Sequence, residues 1–338
     1  MSRILVAGGG GFIGSHLANQ LRRRGNLVRV VDLAFNGHGL GRYCDEELLL
    51  DLRDPGNCLR ATEGMDMVYD LAANMGGIGF ITAVGAEVMR DNILINANML
   101  EAARLSKVKR FLFSSSACVY PDFRQMSPNV SGLREEDAFP ASPDTFYGWE
   151  KLATEKMCEA YKRDHDLDVR IVRYHNIYGP NCTYKGGREK SPAALCRKVC
   201  EAADPGMITI WGDGEQTRSY CYIDDAVAGT IMLMESAFSE PINIGSDRLV
   251  SINDMADLII DSSGKKIAKR YDPTGPQGVR GRNADISLAK RVLGWVPKVS
   301  LEEGLLRTYD WIAEEIAEDR QEIVVVPNTA RGTSQAGA

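Results

Sequence analysis

Tyr147 and Lys151 stand four residues apart in the run Tyr147-Gly148-Trp149-Glu150-Lys151. A helix beginning after Pro143 would put both on one face. An ammonium beside a phenol favours the phenolate and lowers the phenol's pKa. A phenol tuned in this way takes the proton of a substrate alcohol while a bound cofactor takes the hydride. Ser114, Ser115 and Ser116 close an apolar run, 108–113, that reads as a buried strand, and from its end a hydroxyl reaches the same alcohol. Cys118, two residues further on, adds a second proton-transfer group. Each piece alone has a plainer explanation: serines at a strand end make turns, and a buried cysteine packs as a small hydrophobe. Their order favours chemistry: a glycine fingerprint, then a serine-bearing strand end, then a Tyr–Lys helix.

The fingerprint lies at the start of the chain. Residues 3–7 form a short apolar strand, followed by Gly8-Gly9-Gly10-Gly11-Phe12-Ile13-Gly14 and by helical periodicity over 15–24. A second strand, 27–31, ends at Asp32. Strand, tight turn, helix and strand in that order make a dinucleotide-binding unit. Gly8, Gly11 and Gly14 serve the turn, the close approach of pyrophosphate and helix–strand packing, and the helix N-terminus favours phosphate charge. Asp32 accepts hydrogen bonds from a ribose diol and repels a 2′-phosphate, which favours NAD over NADP. Residues 48–52 read as a third strand, with Asp51 placed to meet an adenine amino group. The strand 67–73 leads into a small-residue loop, 74–79, that would face the cofactor. A long helix over 90–105 carries Asn92, Asn96 and Asn98 as caps or interior contacts.

In the second half the alternation loosens. A strand over 168–173 leads to His175 and Asn176, and residues 181–198 hold Lys185, Arg188, Lys190, Arg197 and Lys198. Short strands are expected at 208–211 and 218–223, a helix at 226–233 and a strand at 241–244. Ser251 caps another helix together with Asp254. Arg280 and Arg282 lie close together, and a last helix covers 301–315. Gln216 and Arg218, with Lys190, Lys198 and Arg280, have the chemistry to neutralise a diphosphate. The expected division is a cofactor lobe over 1–175 to which later segments return, a substrate lobe over 176–327, and a mobile tail over 328–338.

Composition sets the bounds. The chain has 338 residues, 44% hydrophobic and 25% charged, as in a soluble globular protein. A net charge of −6 argues against nucleic acid as the principal ligand. No signal peptide is visible, and no apolar run approaches the roughly 20 residues that span a bilayer. The eight cysteines are scattered without zinc-site spacing, so they read as reduced thiols in a cytoplasmic protein with no metal.

Eight stretches carry a family resemblance: LAANMGGIGF (71–80), SSSACVYP (114–121), YGWEKLATE (147–155), RYHNIYGP (173–180), KGGREKSPAALCRK (185–198), WGDGEQTRS (211–219), NIGSD (243–247) and GVRGRN (278–283). On these motifs, and over nearly its full length, the chain resembles the extended short-chain dehydrogenase/reductases, the NAD-dependent epimerase/dehydratases that act on nucleotide sugars. The KGGREK and SSSAC blocks are the narrowest of the signals. The resemblance implies an α/β fold, a Rossmann-type doubly wound parallel sheet with a smaller C-terminal α/β substrate-binding lobe. It also implies bound NAD, a nucleotide-sugar substrate (a GDP-hexose) and a homodimer formed through helices 90–105 and 143–162. Residue by residue, Tyr147 would be the redox base, Lys151 its partner and Ser116 a substrate contact, with Cys118 and Lys190 the acid/base pair. Gly76, Ala117, Asn176, Glu189, Ser191, Lys198, Gln216, Thr217, Arg218 and Arg280 would contact the nucleotide sugar. Gly8, Gly11, Phe12, Ile13, Gly14, Asp32, Asp51, Leu52 and Ala72 would hold the cofactor with Tyr147 and Lys151. Asn74 stands where the family usually has Asp, and Tyr184 where it has Trp.

Oxidation of a sugar at C4 acidifies the hydrogens at C3 and C5, so an acid/base pair beside the ring can invert those centres. A 4,6-dehydratase would need a carboxylic acid near Cys118, and none occurs between 114 and 121. A 4-epimerase needs only the tyrosine and alters C4 alone. A regulator that had lost catalysis would be expected to lack Tyr147 or Lys151. An NADPH-consuming epimerase-reductase is disfavoured by Asp32.

Overall fold

The first strands are apolar without alternation, as burial on both faces of a parallel sheet demands. Ile4 to Ala7 in β1 (Arg3–Ala7) and Val28, Val30 and Val31 in β2 (Leu27–Asp32) are all buried, with α1 (Phe12–Arg23) laying Leu17, Ala18 and Leu21 onto the sheet. This computed structural model describes residues 1–35 and 42–325, the side chains of 321–325 excepted. The tail expected over 328–338 lies outside the described residues.

From β3 (Glu46–Leu49) the chain passes through α2 (Pro55–Thr62), started by Asp54 accepting from the Asn57 N–H, into β4 (Met67–Asp70). Next come the short α3 (Ile78–Ala83), the long α4 (Gly85–Leu105), β5 (Arg110–Ser116), α5 (Phe146–His165) and β6 (Val169–Tyr174). The second lobe opens with β7 (Ile177–Tyr178), α6 (Ser191–Glu201), β8 (Gly206–Trp211), β9 (Thr217–Ser219) and β10 (Cys221–Tyr222). The chain then returns through α7 (Ile223–Glu235) to β11 (Pro241–Ile244). It leaves again as β12 (Leu249–Ser251), α8 (Ile252–Ser263), β13 (Ile267–Asp272), β14 (Gly281–Arg282), α9 (Ser287–Leu293) and α10 (Leu301–Val325).

Seven strands form one parallel sheet in the order β11-β6-β5-β4-β1-β2-β3. The order reverses at β1, and the crevice beyond the carboxyl ends of strands at such a switch point is where ligands bind in doubly wound sheets. The smaller lobe is built from short sheets, β12-β9-β14, β13-β8 and β10-β7, with α6 packed against α8 and α10. No described helix is long and apolar enough to cross a membrane.

Several boundaries differ from expectation. Strand β5 runs on through Ser116, so the serines belong to the strand and Ser114 and Ser115 are buried in it. The third strand lies at Glu46–Leu49 rather than 48–52, which leaves Asp51 in the following loop. The expected strand over 218–223 is two strands in different sheets, separated at the buried Tyr220. Two of the three asparagines of α4 are interior contacts: Asn92 and Asn96 donate to Glu150 of α5 at 2.9 and 3.2 Å. Ser251 caps α8 in a reciprocal arrangement with Asp254.

Candidate active site

A cleft of about 930 Å³ opens at the carboxyl ends of β1, β2, β4 and β5 and continues into the second lobe. Gly8, Gly11, Phe12, Ile13, Gly14, Asp32, Asp51, Leu52 and Ala72 line its first part. Gly8 has φ +76°, and a Cβ there would lie 2.8 Å from the Ala72 nitrogen. A Cβ at Gly14 would lie 2.1 Å from the Gly8 carbonyl oxygen. The turn is therefore bare backbone, delivered to the cleft at the N-terminus of α1. Asp32 accepts from the Gly10 N–H at 3.0 Å, which holds its carboxylate beside the turn. Arg53 grips Asp51 at 2.6 Å and holds its carboxyl below the ordinary range. A glycine cradle with one carboxylate at the ribose position fits a dinucleotide whose ribose carries a free diol.

The reactive side chains meet further along. Thr145 starts α5 by accepting from the Gly148 N–H at 3.2 Å, which puts Tyr147 in the first turn. Tyr147 is 5% exposed, and Ser116 Oγ, close enough to pull on the phenol's pKa, accepts from the Cys118 N–H at 3.2 Å. Lys151 is buried behind them, with Nζ 4.7 Å from the Phe113 ring centroid and 5.6 Å from that of Tyr147. It lies 3.8 Å from Glu150 Oε1 and does not itself line the cleft.

That placement corrects one expectation. In the chain alone the Tyr147 phenol is not lowered but pushed well above its ordinary value, first by burial, then by the charges of Glu150 and Cys118. The Ser116 hydroxyl pulls the other way. The physical reason is that burial disfavours the phenolate, and the neighbouring Glu150 carboxylate adds to that cost.

Cys118 faces Arg282, whose Nη1 donates to Sγ at 3.3 Å. Arg282 also donates through Nε to Gln125 Oε1 at 2.6 Å, and its Nη2 stands 3.5 Å from Asp144 Oδ1. Burial opposes its charge, yet Cys118 and Asp144 outweigh burial and raise its pKa. Lys190 precedes α6 and lines the same cleft; burial lowers its pKa, with the charges of Cys118 and Cys182 pulling back.

On the far wall, Lys198 donates to the Thr209 carbonyl at 2.6 Å, and burial lowers its pKa. Gln216 donates to the Trp211 carbonyl at 2.9 Å. Arg218 is pushed down to about 10 by burial and by the neighbouring Arg282. Two guanidiniums crowded in this way, with Asp144 as a shared carboxylate, call for an anionic ligand. Gly76, Ala117, Asn176, Glu189 and Ser191 also line the cleft.

Thr217 and Arg280 do not line it. Thr217 donates to the Pro128 carbonyl at 2.5 Å, and Arg280 pairs through both nitrogens with Asp213 at 2.8 Å, lining an adjoining groove instead. The arginine at the sulfur is Arg282. Sequence reasoning noted it but gave it no role, because nothing local separates two arginines two residues apart.

Fold and site together define a dinucleotide-dependent enzyme of the doubly wound class, and the chain belongs to the NAD dependent epimerase/dehydratase family, whose sequence profile matches residues 4–245. NAD is the cofactor of that family, and the cradle described above suits it. The chain is 49% identical over 319 residues to GDP-mannose 3,5-epimerase of Arabidopsis thaliana, covering 94% of this chain and 84% of that one. It is likewise 49% identical to GDP-mannose 3,5-epimerase 1 of Oryza sativa subsp. japonica, with 94% and 83% covered. Among solved structures, UDP-glucose 4-epimerase of Thermotoga maritima superposes with a TM-score of 0.84 at 30% identity, covering 93% of this chain and 99% of that one.

Proposed function

We propose that this enzyme is an epimerase of GDP-mannose that inverts C5 alone, yielding GDP-L-gulose, or C5 and C3 together, yielding GDP-L-galactose. The observation that carries the reading is that Cys118 and Lys190 line the same cleft as Tyr147 and Ser116, where a 4-epimerase would need only the tyrosine.

In this mechanism Tyr147, with Ser116 at its hydroxyl, takes the proton of O4, and Lys151 supplies the positive charge behind it. NAD, held by the cradle of Gly8, Gly11, Gly14 and Asp32, would supply the reversible hydride chemistry at C4. The transient ketone acidifies the hydrogens at C3 and C5. Cys118 removes such a proton from one face, and Lys190 delivers one to the other, which inverts the centre. Burial weakens the hold of Lys190 on its proton, as donation requires. Arg282 balances negative charge at the sulfur. Each positioned proton transfer is worth about 10²–10⁴-fold. Gly76, Asn176, Glu189, Ser191, Lys198, Gln216 and Arg218 would hold the nucleotide sugar, the cations meeting its diphosphate.

The lobes follow the same division of labour, 1–175 for NAD with β11 and α7 returning to it, and 176–327 mainly for the sugar nucleotide. We place the enzyme in the cytoplasm as a homodimer; Leu94 of α4 and Phe146 and Trp149 of α5 expose apolar surface where a second copy would pack.

The test is incubation of the NAD-loaded enzyme with GDP-mannose in heavy water. Deuterium should enter at C3 and C5, and Cys118→Ala should keep C4 oxidation while losing the exchange at C5. Product altered at C4 alone, with no solvent deuterium, would make the enzyme a 4-epimerase.

A further inference from the structure

We propose that Arg188 is a positioning residue that clasps the cleft shut and keeps the dinucleotide bound between the two halves of the reaction. The inference rests on the cycle proposed above, in which the hydride taken from C4 must be returned to it. A dinucleotide lost midway would strand the ketone.

Two loops from opposite lobes meet over the cleft: 74–77 between β4 and α3, and the segment before α6 that ends in Lys190. Arg188 joins them. Its guanidinium carbon lies 3.8 Å from the centroid of the Phe80 ring, and Nη1 donates to Asn74 Oδ1 at 3.3 Å and to the Met75 carbonyl at 3.4 Å. The Arg188 carbonyl accepts from the Gly77 N–H at 3.0 Å. The fit leaves no slack, since a Cβ on Gly77 would lie 2.4 Å from the Glu189 carbonyl oxygen. Asn74 is itself held, its N–H donating to Asn92 Oδ1 at 2.6 Å, and Asn92 in turn donates to Glu150 on the helix that carries Tyr147. The clasp thus connects to the helix bearing the catalytic tyrosine.

The same segment contains a hinge. Gly186 and Gly187 have φ +90° and +83°, and among the described residues nothing lies within 4 Å of where a Cβ would sit, so no described neighbour dictates their conformation. On one side of the pair, Tyr184 and Lys185 are tied to the second lobe by Arg197 and Asp319. On the other side, Arg188 is tied to the first lobe, while Glu189 beyond it pairs with Arg197 of the second lobe at 3.2 Å. Arg188 thus sits between two second-lobe anchors, and rotation at the glycines would release it from the first lobe while those anchors hold, which is the geometry of a gate.

The experiment follows dissociation of reduced dinucleotide by its fluorescence, with no sugar present, from the full-length enzyme and from Arg188→Ala and Arg188→Lys. A stacked cation and its hydrogen bonds correspond to about 5- to 30-fold faster release from Arg188→Ala. Arg188→Lys, which keeps the charge but loses the planar stack, should fall between, and thermal unfolding of both should match the parent. A second arm supplies GDP-mannose together with a scavenging dehydrogenase that consumes escaped reduced dinucleotide; Arg188→Ala should leak measurably more per turnover. Unchanged release from Arg188→Ala overturns the clasp. Faster release together with no solvent deuterium in GDP-mannose from the parent enzyme supports the clasp and defeats the proposed epimerisation, so the two ideas fail separately.

Discussion

A methyl group on Gly148 would lie 2.1 Å from the carbonyl oxygen of Cys118. The first turn of α5 and the loop after β5 are therefore pressed together backbone to backbone, and this contact sets the spacing between the tyrosine and the sulfur. Gly148→Ala must push them apart. Displacing a reacting group by about 1 Å costs about 10²-fold in rate. The expected result is a loss of that order in kcat with dinucleotide affinity retained, as measured by titration. A variant with parental kcat would show that the contact does not position the chemistry.

The guanidinium beside Cys118 belongs to Arg282, while Arg280 is engaged by Asp213. Arg282→Gln should slow solvent deuterium incorporation by about 10- to 100-fold, because a cation next to a proton-transfer group is lost. Arg280→Gln should change exchange little. Nuclear magnetic resonance of the recovered sugar nucleotide reads both, and the reverse ranking would move the role to Arg280.

Two buried groups should tilt stability in opposite directions with pH. Among the described residues neither carboxylate oxygen of Asp70 has a hydrogen-bond partner, and burial pushes its pKa up from 3.8 to about 7, against the pull of Lys151 and the nearby Ala72 N–H, which does not close a hydrogen bond. Between those values the folded state holds a proton that the unfolded chain releases, so this group's contribution falls as pH rises from about 4 to 7. His175 is the reverse case. Its Nε2 meets Asn243 Oδ1 at 2.9 Å, and burial lowers its pKa from 6.5 to about 3. Its contribution is complete above 6.5 and is lost as pH falls toward 3. Each slope is about 1.4 kcal/mol per pH unit at most. In denaturant titrations from pH 4 to 8, Asp70→Asn should gain on the parent as pH rises, and His175→Gln should gain as pH falls. Curves parallel to the parent would contradict both assignments.

Much of this enzyme is written in short-range spacing. The glycines at 8, 11 and 14 with Asp32, the pair Tyr147 and Lys151, and the cap Ser251 with Asp254 lie within a few turns of chain, where backbone geometry alone relates them. The glycine turn and the start of the helix that carries Tyr147 and Lys151 could therefore be read before any contact was known. Tertiary structure decided what depends on neighbours distant in sequence. Ser115 points inward to donate to Glu155 at 2.5 Å, and Glu155 pairs with Arg173 at 2.7 Å, while Ser116 turns to Tyr147; that division follows from β5 extending to 116. Arg282 reaches Cys118 across 164 residues, and the pKa of Tyr147 is shaped by burial, by Glu150 and by Cys118. Desolvation and through-space charge act over ångströms in the folded chain, whatever the number of residues between, so only the completed packing could assign them.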